Sequence, residues 1–467
     1  MPQNWLLRVK APTNQSEVIP MPTKRNYRRV KVKDISTVTL TEIAIEKGDR
    51  GTTAGLDVAK DEIVVVIRWA DGSFERPWSV KNPSEIGLLI SLLCLLKEIC
   101  GSQTIGLEST GTYSEAVRQA MTAASLEVHR LSGKGVSDYK EIFDGVPSQH
   151  DGKDAAMIAE LTHFGKGTPW PFVLYSPSEQ TMHHQVARLA AFRGEANRWH
   201  GRLEGLLTKH WPELGSLLAL SGATLLKICL HYANPAAVAS DPNARQQLRS
   251  WGRGQLSFDK IDQIIESART TVGIPIGPGE QLWLQEIAQE LQQNLAKIKA
   301  SEKRLKEIAL ADQTIAPYVK KIGGPTLCAI WSTVGDPIKY TSGGAFLKGL
   351  GLNLKEMSSG KYNGQLKITK RGPSLARKLI YYWALRAIQE PSLKQWYFKF
   401  HRVGSSRQSN SEHRKMKGLI AMMRKLCRAL WYARRHGLEF DYAKVFPGKP
   451  LKTRKPRRQR RKSVSPS

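Results

Sequence analysis

The stretch Gly55–Lys60, which reads Gly-Leu-Asp-Val-Ala-Lys, opens the part of the chain with the clearest strand pattern. A β-branched run follows it at Glu62–Trp69, and Asp71-Gly72 marks a turn into another short strand. The pattern predicts a β-hairpin at the beginning of a sheet. Asp57 lies on the first strand of this hairpin, where its side chain can project from the middle of the sheet.

Strand and helix patterns alternate after this hairpin. They predict a helix over about 84–100, a strand at Gln103–Glu108, a helix starting near Tyr113, a strand at Leu126–Arg130 and a helix from Asp154. Such an alternation is typical of a mixed α/β sheet that is covered by helices on both faces.

Four acidic residues occupy the ends of these elements. Glu108 ends a strand, and Asp151 and Asp154 are three residues apart, so they share one face of a helix or of its first turn. Taken singly, each acid is typical of a turn, a cap or a helix-dipole contact. Together with Asp57 they follow the chain order of a ribonuclease-H-like fold. We therefore predict a site for two Mg²⁺ ions about 3.5–4 Å apart, in which Mn²⁺ can substitute.

The chain beyond about residue 180 is predominantly helical in pattern. Apolar residues occupy heptad a and d positions with Asn294 and Ser301 as polar members: Leu284, Ile287, Leu291, Ile298, Leu305 and Ile308. This spacing predicts a long helix with a coiled-coil-like seam. The seam fits a helical hairpin within one chain as well as a dimer, so the sequence leaves this choice open.

The last third of the chain combines helices with glycine-rich turns. Gly323 and Gly324 precede a helix whose exposed backbone N–H groups suit phosphate. A short helix at Gly344–Gly349, a Gly- and Ser-rich loop around Ser358-Ser359-Gly360 and two further helices are expected; the helices cover about 374–390 and 411–436. We expect a mostly α-helical C-terminal domain.

The charge of the chain indicates its partner. Seventy-one Lys and Arg against 41 Asp and Glu give a net charge of +30 over 467 residues, which favours a polyanion such as nucleic acid. We expect a basic arm over 1–50, the α/β domain over 51–180, a helical linker and coiled coil over 181–312, a C-terminal domain over 313–440 and a disordered basic tail over 441–467.

The composition also excludes several classes. No run of about 18 apolar residues is present, and the basic start lacks the apolar core of a secretory signal, so the sequence predicts neither a membrane span nor export. Five cysteines without a CxxC pair fit a reducing cytoplasm and do not predict a zinc site.

These motifs, taken together, resemble the insertion sequence one-hundred-ten family of transposases, which have a RuvC-like DEDD domain. The resemblance covers roughly residues 53–437 and includes the segments around the four acids, the coiled coil and the C-terminal unit. In that unit, Lys321–Pro325 and Phe346–Leu352 resemble a helix-hairpin-helix-like region, and Ser359-Gly360 resembles the serine-glycine signature of the family. The segment Leu352–Leu354 departs from the family, which commonly has a proline there.

The resemblance implies DNA recombination that is directed by a noncoding guide RNA. It implies that Ser359 attacks the backbone of donor and target DNA and forms a transient phosphoserine link, with Ser358 as the substitute. Lys370, Arg371 and Arg377 are then the residues that hold phosphate oxygens. Synapsis of two duplexes requires several active sites, so we expect a dimer or tetramer, in a prokaryotic cytoplasm at the nucleoid.

Three other functions fit parts of the pattern. A junction-resolving endonuclease would use the same metal site with water as its nucleophile. A sugar- or acetate-kinase-like ATPase also begins with a glycine-aspartate hairpin, although the charge of +30 argues against it. A structural packaging protein would bind nucleic acid without any metal-dependent chemistry.

Overall fold

A computed structural model describes residues 32–40, 51–109, 111–144, 150–359, 362–402 and 411–446. The chain divides into two compact units, residues 1–174 and 175–467. Each unit has its own hydrophobic cores.

The first unit is built on one mixed sheet. Its strands are β1 (Lys33–Asp34), β2 (Thr52–Val58), β3 (Glu62–Arg68), β4 (Trp78–Lys81), β5 (Gln103–Glu108), β6 (Glu127–Leu131) and β7 (Thr168–Pro169), and its helices are α1 (Ile86–Cys100), α2 (Glu115–Ala123), α3 (Gly133–Asp144) and α4 (Asp151–His163). The seven strands lie in the order β1-β4-β3-β2-β5-β6-β7. Strands β2, β5 and β6 are parallel, and β3 is antiparallel to β2.

Helices cover both faces of this sheet, as the sequence predicts. Alternate residues of β2, among them Leu56 and Val58, pack with Leu89 and Leu93 of α1 in one core. On the other face, Val64 and Val66 of β3 pack against α3 and α4. The period of two along each strand therefore sends its side chains to two separate cores. The mixed sheet covered by helices is the α/β architecture of ribonuclease-H-like domains.

The N-terminal arm has an ordered end. Residues 1–31 and 41–50 lie outside the described residues, but β1 pairs with β4 at the edge of the sheet. Ile35 and Leu40, which follow β1, are buried in the core that contains α1. The arm that the sequence assigns to 1–50 thus contributes an edge strand and apolar anchors to the first unit.

The second unit is mostly helical. Its helices are α5 (Pro177–His210), α6 (Pro212–Leu217), α7 (Ala223–His231), α8 (Pro235–Ser240), α9 (Ala244–Trp251), α10 (Phe258–Arg269), α11 (Pro278–Ala311), α12 (Ala316–Ile322), α13 (Gly324–Val334), α14 (Gly343–Gly349), α15 (Ser374–Ala387), α16 (Pro391–Arg402), α17 (Ser411–Arg435) and α18 (Tyr442–Val445). Two strands, β8 (Leu354–Ser359) and β9 (Tyr362–Ile368), form a separate antiparallel hairpin.

Most heptad residues of α11 are buried within the chain, and Ile298 and Ile308 are partly buried. Helix α11 packs along α5 in the antiparallel sense, since Arg193 pairs with Glu302 and Lys209 with Glu280. Leu291 and Leu305 are fully buried, and Asn294 is buried with 1 % of its surface exposed. The apolar stripe predicted from the sequence is therefore used for packing inside the chain.

The serine segment is a strand and not the loop expected from the sequence. Ser358 and Ser359 are the last two residues of β8, and Ser359 pairs with Tyr362 of β9. The register shifts between Met357 and Ser359, so the ribbon is irregular beside the serine. The side chains of residues 357–365 and Gly360 itself lie outside the described residues.

The beginning of the predicted basic tail is also ordered. Tyr442 of α18 and the following Phe446 are buried, although the sequence placed residues from 441 onward in a disordered tail. The Tyr442 hydroxyl donates to the Lys321 carbonyl at 2.6 Å and accepts from Trp383 Nε1 at 2.8 Å. Two aromatic anchors hold α18 on the helices beside it, and residues 447–467 lie outside the described residues.

Across the described part of the chain, we find no helix with the length and apolarity needed to traverse a lipid bilayer.

Candidate active site

Asp57 and Glu108 lie beside each other at the carboxyl ends of two parallel strands. Gly55 of β2 pairs with Gly106 of β5, and Leu56 pairs with Leu107. The next residue on each strand is the acid, and it faces the same side as the glycine two residues earlier. Both carboxylates are half-buried on the face of the sheet that α4 covers.

Two paired glycines bring α4 against the sheet. A Cβ at Gly55 would lie 2.0 Å from the Ala155 carbonyl oxygen and 2.4 Å from the Ala159 nitrogen, and a Cβ at Gly106 would lie 1.9 Å from Thr162 Oγ1. Only the absence of side chains at these strand positions permits such a close approach. The small residues of α4 rest directly on the strands that bear Asp57 and Glu108.

The N-terminal turn of α4 brings the other two acids to this place. Asp151 and Asp154 both lie in that turn, and α4 begins at Asp151, three residues before the start predicted from the sequence. The cap is His150, whose Nδ1 accepts a hydrogen bond from the Lys153 nitrogen at 3.2 Å. Acidic side chains in a first turn interact favourably with the helix dipole, which stabilises this placement.

The four acids interact electrostatically. Burial, followed by the charges of Asp154, Asp151 and Glu108, raises the pKa of Asp57 from 3.8 to about 6. A shift with these causes requires the other carboxylates to lie near Asp57, so the structure brings together all four acids that the sequence singled out. A further glycine makes room for Glu108, because a Cβ at Gly133 would lie 2.1 Å from Glu108 Oε1.

Lys140 of α3 partly offsets this negative charge. Its Nζ lies 2.6 Å from Asp154 Oδ1 and 2.7 Å from Oδ2, and its charge acts against the rise in the Asp57 pKa. Only the contact with Oδ2 has hydrogen-bond geometry, so Asp154 Oδ1 is buried without a hydrogen bond. Within the ranges that the structure describes, no three His, Cys, Asp or Glu side chains converge at the spacing of metal ligands.

The chemistry of this donor set fits a divalent cation. Carboxylate oxygens are the ligands that Mg²⁺ and Mn²⁺ prefer, and the four acids come from two strands and one helix. Burial and then the three neighbouring carboxylates raise the pKa of Asp57, and the charge of Lys140 acts against that rise. A cation would offset the charge of these carboxylates, as Lys140 already does in part at Asp154.

The serine hairpin is anchored at its base by glycines and by Arg377. Arg377 Nη1 donates to the carbonyl oxygens of Gly372, at 2.5 Å, and of Leu350, at 3.3 Å. Gly351 has a φ of +68°, and a Cβ there would lie 2.8 Å from the backbone of Arg371. Burial lowers the pKa of Arg377, whereas Lys370 and Arg371 are exposed beside it.

Gly323 and Gly324 lie at a junction of packed helices. Gly323 ends α12 with a φ of +99°, and a Cβ at Gly324 would lie 2.5 Å from the Lys306 Cα on α11. This close contact gives the glycine pair a packing role. The assignment of the pair to nucleic acid stays a prediction.

Sequence reasoning did not find Lys140, which contacts the acidic cluster, or the buried Lys153 of α4. Lys140 follows no pattern that points to Asp154, because the contact depends on how α3 crosses α4. Lys153 lies between Asp151 and Asp154 in the chain and is fully buried, with 0 % of its surface exposed. The only indication of its burial in the sequence was its position among small apolar residues of a helix.

Two family models identify the class of protein, a transposase with a DEDD domain. A DEDD transposase model for IS110 elements matches residues 54–212, and a model described as the Transposase IS116/IS110/IS902 family matches residues 318–397. The two segments together cover more than half of the chain, and the chain belongs to this family of transposases. No curated protein sequence matches it.

Membership in the family has direct consequences. The protein is a DNA-binding enzyme of a mobile element that cleaves and rejoins DNA, and its DEDD domain indicates dependence on a divalent metal. This favours a recombinase over the kinase-like and packaging alternatives that the sequence left open.

Proposed function

We propose that the chain is an RNA-guided DNA recombinase that cuts and rejoins donor and target duplexes through Ser359. Asp57, Glu108, Asp151 and Asp154 hold two Mg²⁺ ions, for which Mn²⁺ substitutes. The observation that supports the metal site most directly is the rise of the Asp57 pKa to about 6. Burial and three neighbouring carboxylates cause this rise, and a bound cation would offset the repulsion among these carboxylates.

In this proposal the serine performs the strand transfer. The Ser359 hydroxyl oxygen forms a bond to phosphorus while one ester oxygen of the backbone leaves, and the hydroxyl proton passes to the leaving side. Bound at the carboxylates, divalent ions would stabilise the negative charge that develops on the phosphate oxygens. Attack by the leaving oxygen of another strand on the phosphoserine reverses the step and rejoins DNA.

The basic residues beside the hairpin hold the substrate. Lys370 and Arg371 are exposed next to the base of β9 and are free to approach phosphate. Arg377 donates hydrogen bonds to the Leu350 and Gly372 carbonyls. In this proposal it therefore has two roles, in the structure of the hairpin base and in phosphate binding. We further propose that the α5–α11 pair is a coiled coil, that α12 and α13 form a helix-hairpin-helix-like element, and that the active protein is a dimer or tetramer.

Covalent trapping of DNA tests the nucleophile. We expect wild-type protein with Mg²⁺ to form a protein–DNA adduct that survives denaturation, and Ser359→Ala to form none. Ser358→Ala is the matched control and should retain the adduct. DNA cleavage without an adduct in Ser359→Ala would instead identify the water-dependent endonuclease, and an adduct unchanged in Ser359→Ala would exclude Ser359.

The guide RNA requires a separate test. The protein is purified from cells that contain its native locus, and the RNA that copurifies is sequenced. A specific, abundant small RNA encoded beside the gene is the expected result. Recovery of only bulk cellular RNA, in proportion to its abundance, would limit the proposal to an unguided recombinase.

A further inference from the structure

A cavity of about 750 Å³ lies in the second unit, between α17 and the segment that follows it. Its walls also include the start of α14 and Trp396 of α16. This volume is within the range of sites that bind small ligands. None of the residues given a role in the proposed function lines it.

The cavity has an excess of positive charge. Four cations line it, Arg424, Lys425, Arg428 and Lys444, together with the acids Glu439 and Asp441. Asp441 is already engaged, because its carboxylate accepts a hydrogen bond from the Ala443 nitrogen and caps α18. Arg424 and Arg428 are one helical turn apart on α17, so their guanidinium groups lie on the same face.

Arg424 and Arg428 are the residues that indicate an anionic ligand. Both line the cavity, and among the described residues neither forms an ion pair. Burial and the neighbouring charge of Arg428 both lower the pKa of Arg424. Two like charges one helical turn apart repel each other, and a phosphate group bound between their guanidinium groups would offset both charges.

Aromatic side chains line the same cavity. Trp431 has a fixed orientation, since its Nε1 donates to the Tyr340 carbonyl at 3.1 Å. A Cβ at Gly343 would lie 3.3 Å from Arg428 Cγ and 3.4 Å from the Trp431 ring, so the start of α14 packs beside both side chains. Tyr432 is exposed over 53 % of its surface. Aromatic faces beside arginines form the surface on which unpaired bases stack.

The chain itself does not supply a suitable occupant from its own C-terminal end. Residues 447–467, which follow the cavity wall directly, contain nine Lys and Arg and no Asp or Glu. A segment with this charge is repelled by the arginines of the cavity. Charge complementarity therefore favours an anion, and the aromatic walls favour an anion that bears a planar ring.

We propose that this cavity binds one unpaired nucleotide of a single-stranded nucleic acid. Its phosphate contacts Arg424 and Arg428, and its base packs against Trp431 and Tyr432. A base inside a duplex is stacked on both faces and cannot enter. The inference uses the nucleic-acid binding expected of a transposase but neither Ser359 nor the carboxylates, so it can fail or hold independently of the proposed strand transfer.

Photo-crosslinking of the full chain locates the nucleotide. Short single-stranded oligonucleotides that contain 4-thiothymidine or 4-thiouridine are irradiated with the protein, and the modified peptides are identified by mass spectrometry. We expect modification of the peptide that contains Trp431 and Tyr432. A duplex of the same sequence should modify this peptide roughly tenfold less, because its bases remain stacked.

Variants separate a nucleotide site from general electrostatics. We expect Arg428→Gln and Tyr432→Ala each to reduce this crosslink roughly tenfold. Both residues are exposed, so folding should be retained, which circular dichroism checks. Lys417→Gln is the matched control, since it removes one positive charge from an exposed position on the same helix outside the cavity.

Each of the following results would overturn the inference: crosslinks that map only elsewhere, an equal loss in Lys417→Gln and Arg428→Gln, or equal modification by single strand and duplex. An acidic peptide of the same charge that displaces the oligonucleotide equally well would also exclude a nucleotide site. Comparison of the deoxy and ribo oligonucleotides then shows whether DNA or RNA is the source of the bound nucleotide.

Discussion

The two regions that the proposed function uses are built in opposite ways. The carboxylates stand on the strand ends and the helix turn of the first unit, where Gly55 and Gly106 let α4 rest on the sheet. Ser359 stands at the end of a two-stranded ribbon, and in the described part of the chain no third strand pairs with it. The ribbon is held at its base, by Arg377 and by backbone turns at Gly351 and Gly372.

This difference indicates how the two chemical roles are divided. Groups that hold a cation must be positioned before the substrate arrives, and buried packing provides that rigidity. A nucleophile that reaches DNA and afterwards releases it benefits from an element with few buried contacts. We therefore expect mutations in the first region to affect stability and chemistry strongly, and mutations at the base of the ribbon to act mainly on its local order.

The largest effect should come from Asp57→Asn. Loss of a central carboxylate ligand should reduce metal-dependent adduct formation by about a thousandfold, since metal ligation supplies several kcal/mol of charge stabilisation. The measurement is the rate of adduct formation at saturating Mg²⁺. Asp61→Asn, an exposed acid at the turn between β2 and β3, is the control and should react like wild type. Equal losses of adduct formation in the two variants would show that the rate depends on the overall negative charge and not on metal ligation by Asp57.

A methyl group at Gly55 should disrupt the first region. In Gly55→Ala the new Cβ would meet backbone atoms of α4 at 2.0 and 2.4 Å, and α4 cannot move aside without losing its contacts with β2. We expect a loss of about 3 kcal/mol in the free energy of opening of β2 and β5, measured by hydrogen exchange.

Gly87→Ala is the matched control for this substitution. Gly87 lies in α1, and a Cβ there has open space, so alanine should raise stability by about 0.5–1 kcal/mol through helix propensity. If both alanine variants were equally stable, close packing of α4 on glycine would not be what positions Asp151 and Asp154.

The strands and helices of the first region could be predicted from the sequence because the pattern of apolar residues matches the faces that are buried in the structure. The strand Gln103–Glu108 forms with the predicted bounds, and the four acids lie on strands and in a first helical turn, as the sequence predicts. The sequence did not show how close α4 lies to the strands. Glycine inside a strand signals a close approach of another backbone, but only the fold reveals that α4 is the partner, or that Lys140 reaches Asp154.

The serine ribbon was missed for the converse reason. A strand is recognised by an apolar face that alternates with a polar one, and Leu354, Lys355 and Glu356 are all exposed. Because β8 has no buried face, its sequence lacks the alternation of apolar and polar residues that marks a strand. Ser358-Ser359-Gly360 was therefore interpreted as a loop. The individual helices from α6 to α10 were not predicted either, beyond the general helical pattern after residue 180. The prolines at the start of α6 and α8 occupy first-turn positions, where proline favours a helix start.

A smaller effect is expected from pH in metal-free protein. The pKa of Asp57 is raised to about 6 in the folded state, so ionisation of this carboxylate destabilises the fold. The destabilisation is absent below about pH 4, where the carboxyl group is protonated, and is complete above about pH 6. The contribution of Asp57 to the free energy of unfolding therefore falls as pH rises through this window. Relative to wild type, Asp57→Asn should unfold at nearly the same urea concentration at pH 4, and at pH 7 it should be more stable by about 1–2 kcal/mol, after allowance for solvent screening.

Adding metal to wild type and to Asp57→Asn makes this test more specific. Mg²⁺ at pH 7 should stabilise the wild type and reduce the advantage of Asp57→Asn, since a bound cation offsets the same repulsion. A difference between the two proteins that does not change from pH 4 to pH 7 would contradict the electrostatic coupling of the four acids.

The smallest effect is expected at the base of the ribbon. Arg377→Met keeps much of the side-chain volume but removes the bonds to the Gly372 and Leu350 carbonyls, which should cost about 1 kcal/mol locally. Amides of β8 and β9 should then exchange roughly fivefold faster, while those of β2 and β5 keep their protection. Lys378→Met, at the next position of α15, is the control. If Arg377 instead served only to hold phosphate, its loss would weaken DNA binding without changing exchange in the ribbon, and the two regions would no longer differ in the way their residues are anchored.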